Sequence, residues 1–112
     1  MKYFDNQIYF CSNNYEFRDI KAGTKFHFKK YGDIVHAKFL GRNIISGELI
    51  GMVKLGELEA IFNYYNTNSQ SYSGSCTLKL AEHQKNRIIL NGRWVLSGDF
   101  SKGDKLVLEA SF

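Results

Sequence analysis

Ile45-Ser46-Gly47-Glu48-Leu49-Ile50-Gly51-Met52-Val53, followed across Lys54-Leu55-Gly56 by Glu57-Leu58-Glu59-Ala60-Ile61-Phe62-Asn63-Tyr64, is the stretch that decides the fold. Taken every second residue, it gives Ile45, Gly47, Leu49, Gly51, Val53 and then Leu58, Ala60, Phe62, Tyr64. Successive side chains of an extended strand point to opposite faces, so each set lies on one side of a strand. The same beat returns in Tyr72, Gly74, Cys76, Leu78, Leu80 and in Ile88, Leu90, Gly92, Trp94, Leu96. Gly47, Gly51, Gly74 and Gly92 fall on the apolar face, where a packed sheet normally wants bulk. Glycine there suits a sheet that curls tightly around a small interior, either leaving volume inside it or letting strands bend at barrel corners while aromatics fill the space.

Working outward, Gly, Asn and Asp clusters punctuate a chain that has no proline. They divide it into expected strands at 7–12, 24–30, 34–41, 44–55, 57–67, 71–82, 87–97 and 105–112. The joints are of hairpin length and rich in residues that tolerate turn geometry. Segment 13–23 reads either as a long loop or as a short helical turn around 15–20; no other stretch has a sustained helical period. Eight strands joined in sequence form a meander, and closing it removes two exposed edges. The expectation is an all-β fold, an eight-stranded antiparallel up-and-down β-barrel, built as one domain over residues 1–112. A β-sandwich needs long crossings between sheets, and only 13–23 could supply one.

Composition sets the remaining bounds. A chain of 112 residues can bury a core without metal or disulfide staples. Nine Phe, seven Tyr and one Trp favour pleated, half-buried surfaces. No apolar run reaches the length of a membrane span and the first residues lack a signal-peptide core, so the expected location is cytoplasmic, with no membrane partner. The net charge of +4 is scattered rather than gathered into a stripe. It reads as a solvated exterior with lysines guarding strand edges, and no nucleic-acid partner is expected. Strand parity turns Cys76 inward and Cys11 outward, which argues for two free thiols rather than a disulfide. No metal-site spacing occurs, and neither metal nor cofactor is expected.

The inward polar set is short. Tyr64, Asn66, Tyr72 and Cys76 would face a cavity walled by Phe26, Phe28, Phe39, Phe62 and Trp94, the tyrosines and Asn66 orienting a small, largely apolar ligand. The expected ligand-binding residues are therefore Phe39, Phe62, Tyr64, Asn66, Tyr72, Cys76 and Trp94. The competing reading fills the barrel with these aromatics and sends the tyrosine hydroxyls to its mouth. Catalysis has little to stand on. His27 and His36 point away from the apolar face, with a place near the rim as the other reading; His83 falls in a turn, and Glu57, Glu59 and Glu109 face outward. Cys76 has no histidine on its face and reads as a buried structural thiol. The leading expectation is a non-enzymatic binder. The alternatives are a small barrel enzyme using Tyr64 or Tyr72 as an acid, and a filled structural barrel working through its outer face. That outer face carries Ile50, Met52, Ile61, Tyr65, Ile89, Val95 and Val107, an apolar stripe that predicts a homodimer. Residues 99–104 read as a rim loop or a self-capped turn.

The string Gly47-Glu48-Leu49-Ile50-Gly51, with Gly56-Glu57-Leu58, Asn66, Gly74-Ser75-Cys76, Leu90, Trp94 and Gly98-Asp99-Phe100-Ser101-Lys102-Gly103, resembles a family of small bacterial proteins without an assigned function. The resemblance runs from about Lys25 onward and implies an avidin-like or lipocalin-like β-barrel. Its members often carry the label N-acetylglutamate synthase. Such a synthase resembles an acyltransferase with alternating helices and strands and a phosphate-cradling loop, and this chain has neither a helical period nor that loop. Where the family tends to have His, this chain has Tyr64; where it tends to have Tyr, this chain has Phe39 and Phe62. If those positions face a ligand, the resemblance implies a less polar interior here than in its relatives. No biotin-binding motif is recognisable.

Overall fold

In a computed structural model, which describes residues 2–12, 19–98 and 103–111, the alternation becomes eight antiparallel strands. They are β1 (Gln7–Cys11), β2 (Lys25–Tyr31), β3 (Ile34–Gly41), β4 (Ile44–Lys54), β5 (Glu57–Asn66), β6 (Ser71–Gln84), β7 (Arg87–Leu96) and β8 (Asp104–Ser111). Every boundary lies within two residues of the expected one. Each strand pairs with the next, and β1 returns to β8, so the sheet is a closed up-and-down barrel. The seam that closes the ring is short, carried by Phe10 opposite Glu109 and Cys11 opposite Leu108. The β4–β5 ladder, by contrast, runs unbroken from Ser46 to Lys54. No helix among the described residues is long and apolar enough to cross a membrane.

The β4–β5 turn shows how local sequence sets this geometry. Leu55 and Gly56 both have positive φ, 53° and 79°. Two left-handed residues in a row form the hairpin turn whose twist matches that of the flanking strands. One end of the barrel carries this turn with those at 32–33 and 85–86; the other carries the connections 12–24, 42–43, 67–70 and 97–103. At the first end a short 3-10 turn, Lys2–Phe4, closes the opening. Its Phe4 ring is buried against Phe28 at 5.6 Å, and Tyr9 donates its hydroxyl to the Tyr3 carbonyl at 2.7 Å.

Four expectations need correction. Cys11 is buried beside Tyr9, while Ile8 and Phe10 are exposed, so the parity of β1 is the reverse of that expected. Neither cysteine is in a disulfide. In β4 the register shifts between Ile44 and Ser46; a bulge adds one residue there, burying Ile44 and leaving Ile45 58% exposed. β6 continues through His83, which pairs with Ile88 instead of sitting in a turn. The inward glycines, finally, do not leave volume. A Cβ at Gly47 would overlap the Phe39 ring, and one at Gly92 would overlap the Thr77 carbonyl. Bare backbone lets a ring and a neighbouring strand move in, and the space is consumed. Most of the expected helical turn around 15–20, and most of the rim loop at 99–104, lie outside the described residues.

Candidate functional site

Inside the barrel the aromatic side chains form one connected stack. Phe26 and Phe39 lie nearly parallel at 4.8 Å, and Phe39 meets Phe62 and Tyr64 edge-on at 6.4 and 6.2 Å. Tyr64 stacks on Tyr72 at 5.5 Å, and Phe62 meets Trp94 at 6.2 Å. These rings come from β2, β3, β5, β6 and β7, each on the inward parity of its strand. Of the expected ligand-binding residues, Phe39, Phe62, Tyr64, Asn66, Cys76 and Trp94 are buried and Tyr72 is half-buried. Phe28 stacks on Phe26 at 6.2 Å and on its other side packs with Phe4 and Tyr9, toward the opposite end.

The interior they enclose is almost full. A void of about 10 Å³ remains, lined by Ile20, Phe26, Phe39, Leu49, Phe62, Cys76, Trp94 and Leu106. That volume suffices for about one water molecule, whereas small-molecule pockets typically hold about 300–1,000 Å³. Ile20 is the residue that sequence reasoning missed. It lies in the connection between β1 and β2, not on a strand, yet it is 3% exposed. The adjacent Asp19 accepts a hydrogen bond from the Tyr64 hydroxyl at 3.0 Å. The β1–β2 connection thus reaches the barrel end bearing Tyr64, Asn66 and Tyr72 and lowers one aliphatic side chain into the lumen.

The polar groups of the site have mostly found partners. Asn66 accepts from the backbone N–H groups of Asn68 and Gln70, each at 3.0 Å, and donates to the Gln70 side chain at 3.0 Å. It holds the β5–β6 turn, and its amide faces that turn. Tyr72 directs its hydroxyl toward Gln70 at 3.5 Å. Burial pushes the Cys76 thiol up to about 12 and raises Tyr9, helped by the nearby Tyr3. A thiol so protonated is a poor nucleophile. Trp94 differs from all of these: its indole Nε1–H is buried with no hydrogen-bond partner. An unmet buried donor costs about 1–3 kcal/mol. Elsewhere, His83 meets the Tyr3 ring edge-on at 5.4 Å, a rim pairing hidden from sequence by its apparent place in a turn. Among the described residues no three His, Cys, Asp or Glu side chains gather as metal ligands.

The model of one family, described as avidin-like protein, matches residues 2–110. The chain belongs to the avidin-like family. A closed eight-stranded antiparallel barrel is the fold that membership implies, and it is the fold observed. An avidin-like barrel suggests small-molecule binding as its broad role. Comparison with curated proteins and with solved structures finds no match.

Proposed function

We propose that this avidin-like protein is a non-enzymatic binder that admits a small, largely apolar ligand into its lumen through the end closed by Asp19 and Ile20. The observation that carries this reading is the origin of the plug. Among the described residues, Ile20 reaches the void from a connecting segment, not from the barrel wall. Connecting segments open at a lower free energy than the sheets they join, so Ile20 can leave while the ring stays closed. Its departure exposes Phe26, Phe39, Leu49, Phe62 and Trp94, walls that suit a flat hydrocarbon body. The inward groups also argue for binding over catalysis: Cys76 is held protonated, and the Tyr64 hydroxyl is engaged with Asp19. Two buried cysteines outside any disulfide support a reducing, cytoplasmic setting.

Native mass spectrometry of the protein purified from its own host tests the reading. A retained small molecule, lost in the Ile20→Trp variant that overfills the lumen, supports it. A bare polypeptide mass from every preparation refutes it and leaves the outer face as the working surface.

That face favours a second reading, self-association. Ile50 and Ile61 are register partners, 48% and 64% exposed, and border a groove of about 440 Å³ with His36, Glu48, Asn63, Ser73 and Ser97. An exposed apolar row of this kind suits burial against a second copy. Light scattering at tens of micromolar should give the dimer mass, reduced to that of the monomer by Ile61→Glu; a strict monomer refutes it.

A further inference from the structure

We infer that the ligand is a neutral, planar molecule carrying a hydrogen-bond acceptor, and that Trp94 reads that acceptor through its indole N–H; this rests on the lumen-binding reading above. The argument is one of elimination inside the barrel. Tyr64 donates to Asp19, Tyr9 to the Tyr3 carbonyl, and Asn66 is committed to its turn. Tyr72 points to Gln70 at the mouth. The other side chains lining the void are hydrocarbon except for the Cys76 thiol. Trp94 Nε1 therefore stands as the buried side-chain polar atom without a partner among the described residues.

Indole N–H is a donor only, so its complement is an acceptor such as a carbonyl or ether oxygen. Among the described residues no basic side chain lines the void, so an anion would lose its hydration without a counter-charge; no carboxylate among them lines it, so a cation fares no better. The near-parallel Phe26–Phe39 pair and the edge-on Phe62 line the void beside Ile20 with aromatic surface, which suits a flat ring once Ile20 has left.

Because the chain has a single tryptophan, its indole N–H gives one resonance in a ¹⁵N–¹H spectrum. The test titrates wild type and Ile20→Ala with three probes: acetophenone, α-methylstyrene, which replaces the carbonyl oxygen by CH₂, and benzoate. Acetophenone is expected to move the indole proton downfield and to bind about fivefold more tightly than α-methylstyrene, the gain of one ordinary hydrogen bond. Benzoate is expected to bind most weakly, and Trp94→Phe to erase the preference for acetophenone. If acetophenone and α-methylstyrene perturb the Leu49 and Leu106 methyls equally and leave the indole unmoved, the role of Trp94 is overturned while lumen binding stands. If no probe perturbs those methyls in either protein, lumen binding itself fails and this inference fails with it.

Discussion

Replacing Ile20 by Ala measures how much of the barrel interior depends on a residue that no strand supplies. The substitution deletes three carbon atoms from a side chain packed among Phe26, Phe39, Leu49 and Leu106. At about 0.8 kcal/mol per buried carbon group, the lost transfer free energy is about 2.4 kcal/mol. The lumen wall is a closed ring of hydrogen-bonded strands and relaxes little, so a cavity contribution brings the expected loss to about 3–4 kcal/mol. For a chain of this length each kcal/mol lowers Tm by about 4 °C, giving a fall of about 12–16 °C. Urea unfolding followed by Trp94 fluorescence should show an earlier midpoint with an unchanged slope. Amide exchange separates the plug from the barrel. The Gly23 N–H, bonded to the Cys11 carbonyl at 2.8 Å, should exchange faster in the variant relative to the Leu90 N–H on β7. A stability loss below about 0.5 kcal/mol, the size of an ordinary surface substitution, would falsify the placement of Ile20 in the lumen.

Three further outcomes are expected. Gly92→Ala drives a methyl into the Thr77 carbonyl of β6, and should destabilise the barrel by about 1–3 kcal/mol or more in urea unfolding; a neutral result would mean that β6 and β7 do not approach as closely there. Leu55→Asn should stabilise by about 1 kcal/mol, because Leu55 is a fully exposed residue in a left-handed conformation that Asn adopts more readily. Calorimetry showing no rise in Tm would count against that turn. Cys76 is a group whose folded pKa is raised, from an ordinary value near 9 to about 12. Above pH 9 the unfolded chain releases the thiol proton that the folded chain retains, so the stability held by the protonated thiol is full below 9 and is lost as pH rises toward 12. Cys76→Ser should flatten that alkaline decline in urea midpoints; an equally steep decline would assign it elsewhere.

The strands were legible because one face of each is apolar and glycine or asparagine marks nearly every joint. β1 shows where that signal runs out. Ile8, Tyr9, Phe10 and Cys11 are all apolar or aromatic, so periodicity cannot choose a face, and the choice falls to pairing with Phe26 and Leu108. Ile44 and Ile45 pose the same ambiguity, resolved by a bulge that sequence alone does not announce. Six of the residues expected to face a ligand are indeed buried, but burial and availability differ: Asn66 is spent on its own turn. The lumen volume was unreadable because a glycine leaves room for whichever neighbour arrives first. Ile20 carried no signal, being a single aliphatic residue between Asp19 and Lys21 in a segment without period.

The short β1–β8 seam gives the molecule a clasp. Everything from β2 to β8 is a run of sequence neighbours that can zip up by local hairpins, whereas the final closure joins residues separated by nearly the whole chain. Long-range pairing of that kind comes late in folding. Until β1 pairs with both of its neighbours, β2 and β8 are open edges, each able to recruit a strand from another chain. The first eleven residues therefore act as an internal guard on both edges at once. Proteolytic loss of that one strand would turn a self-contained ring into a sheet with two sticky borders, and the fate of the protein in a cell would change from closed barrel to polymerising ribbon.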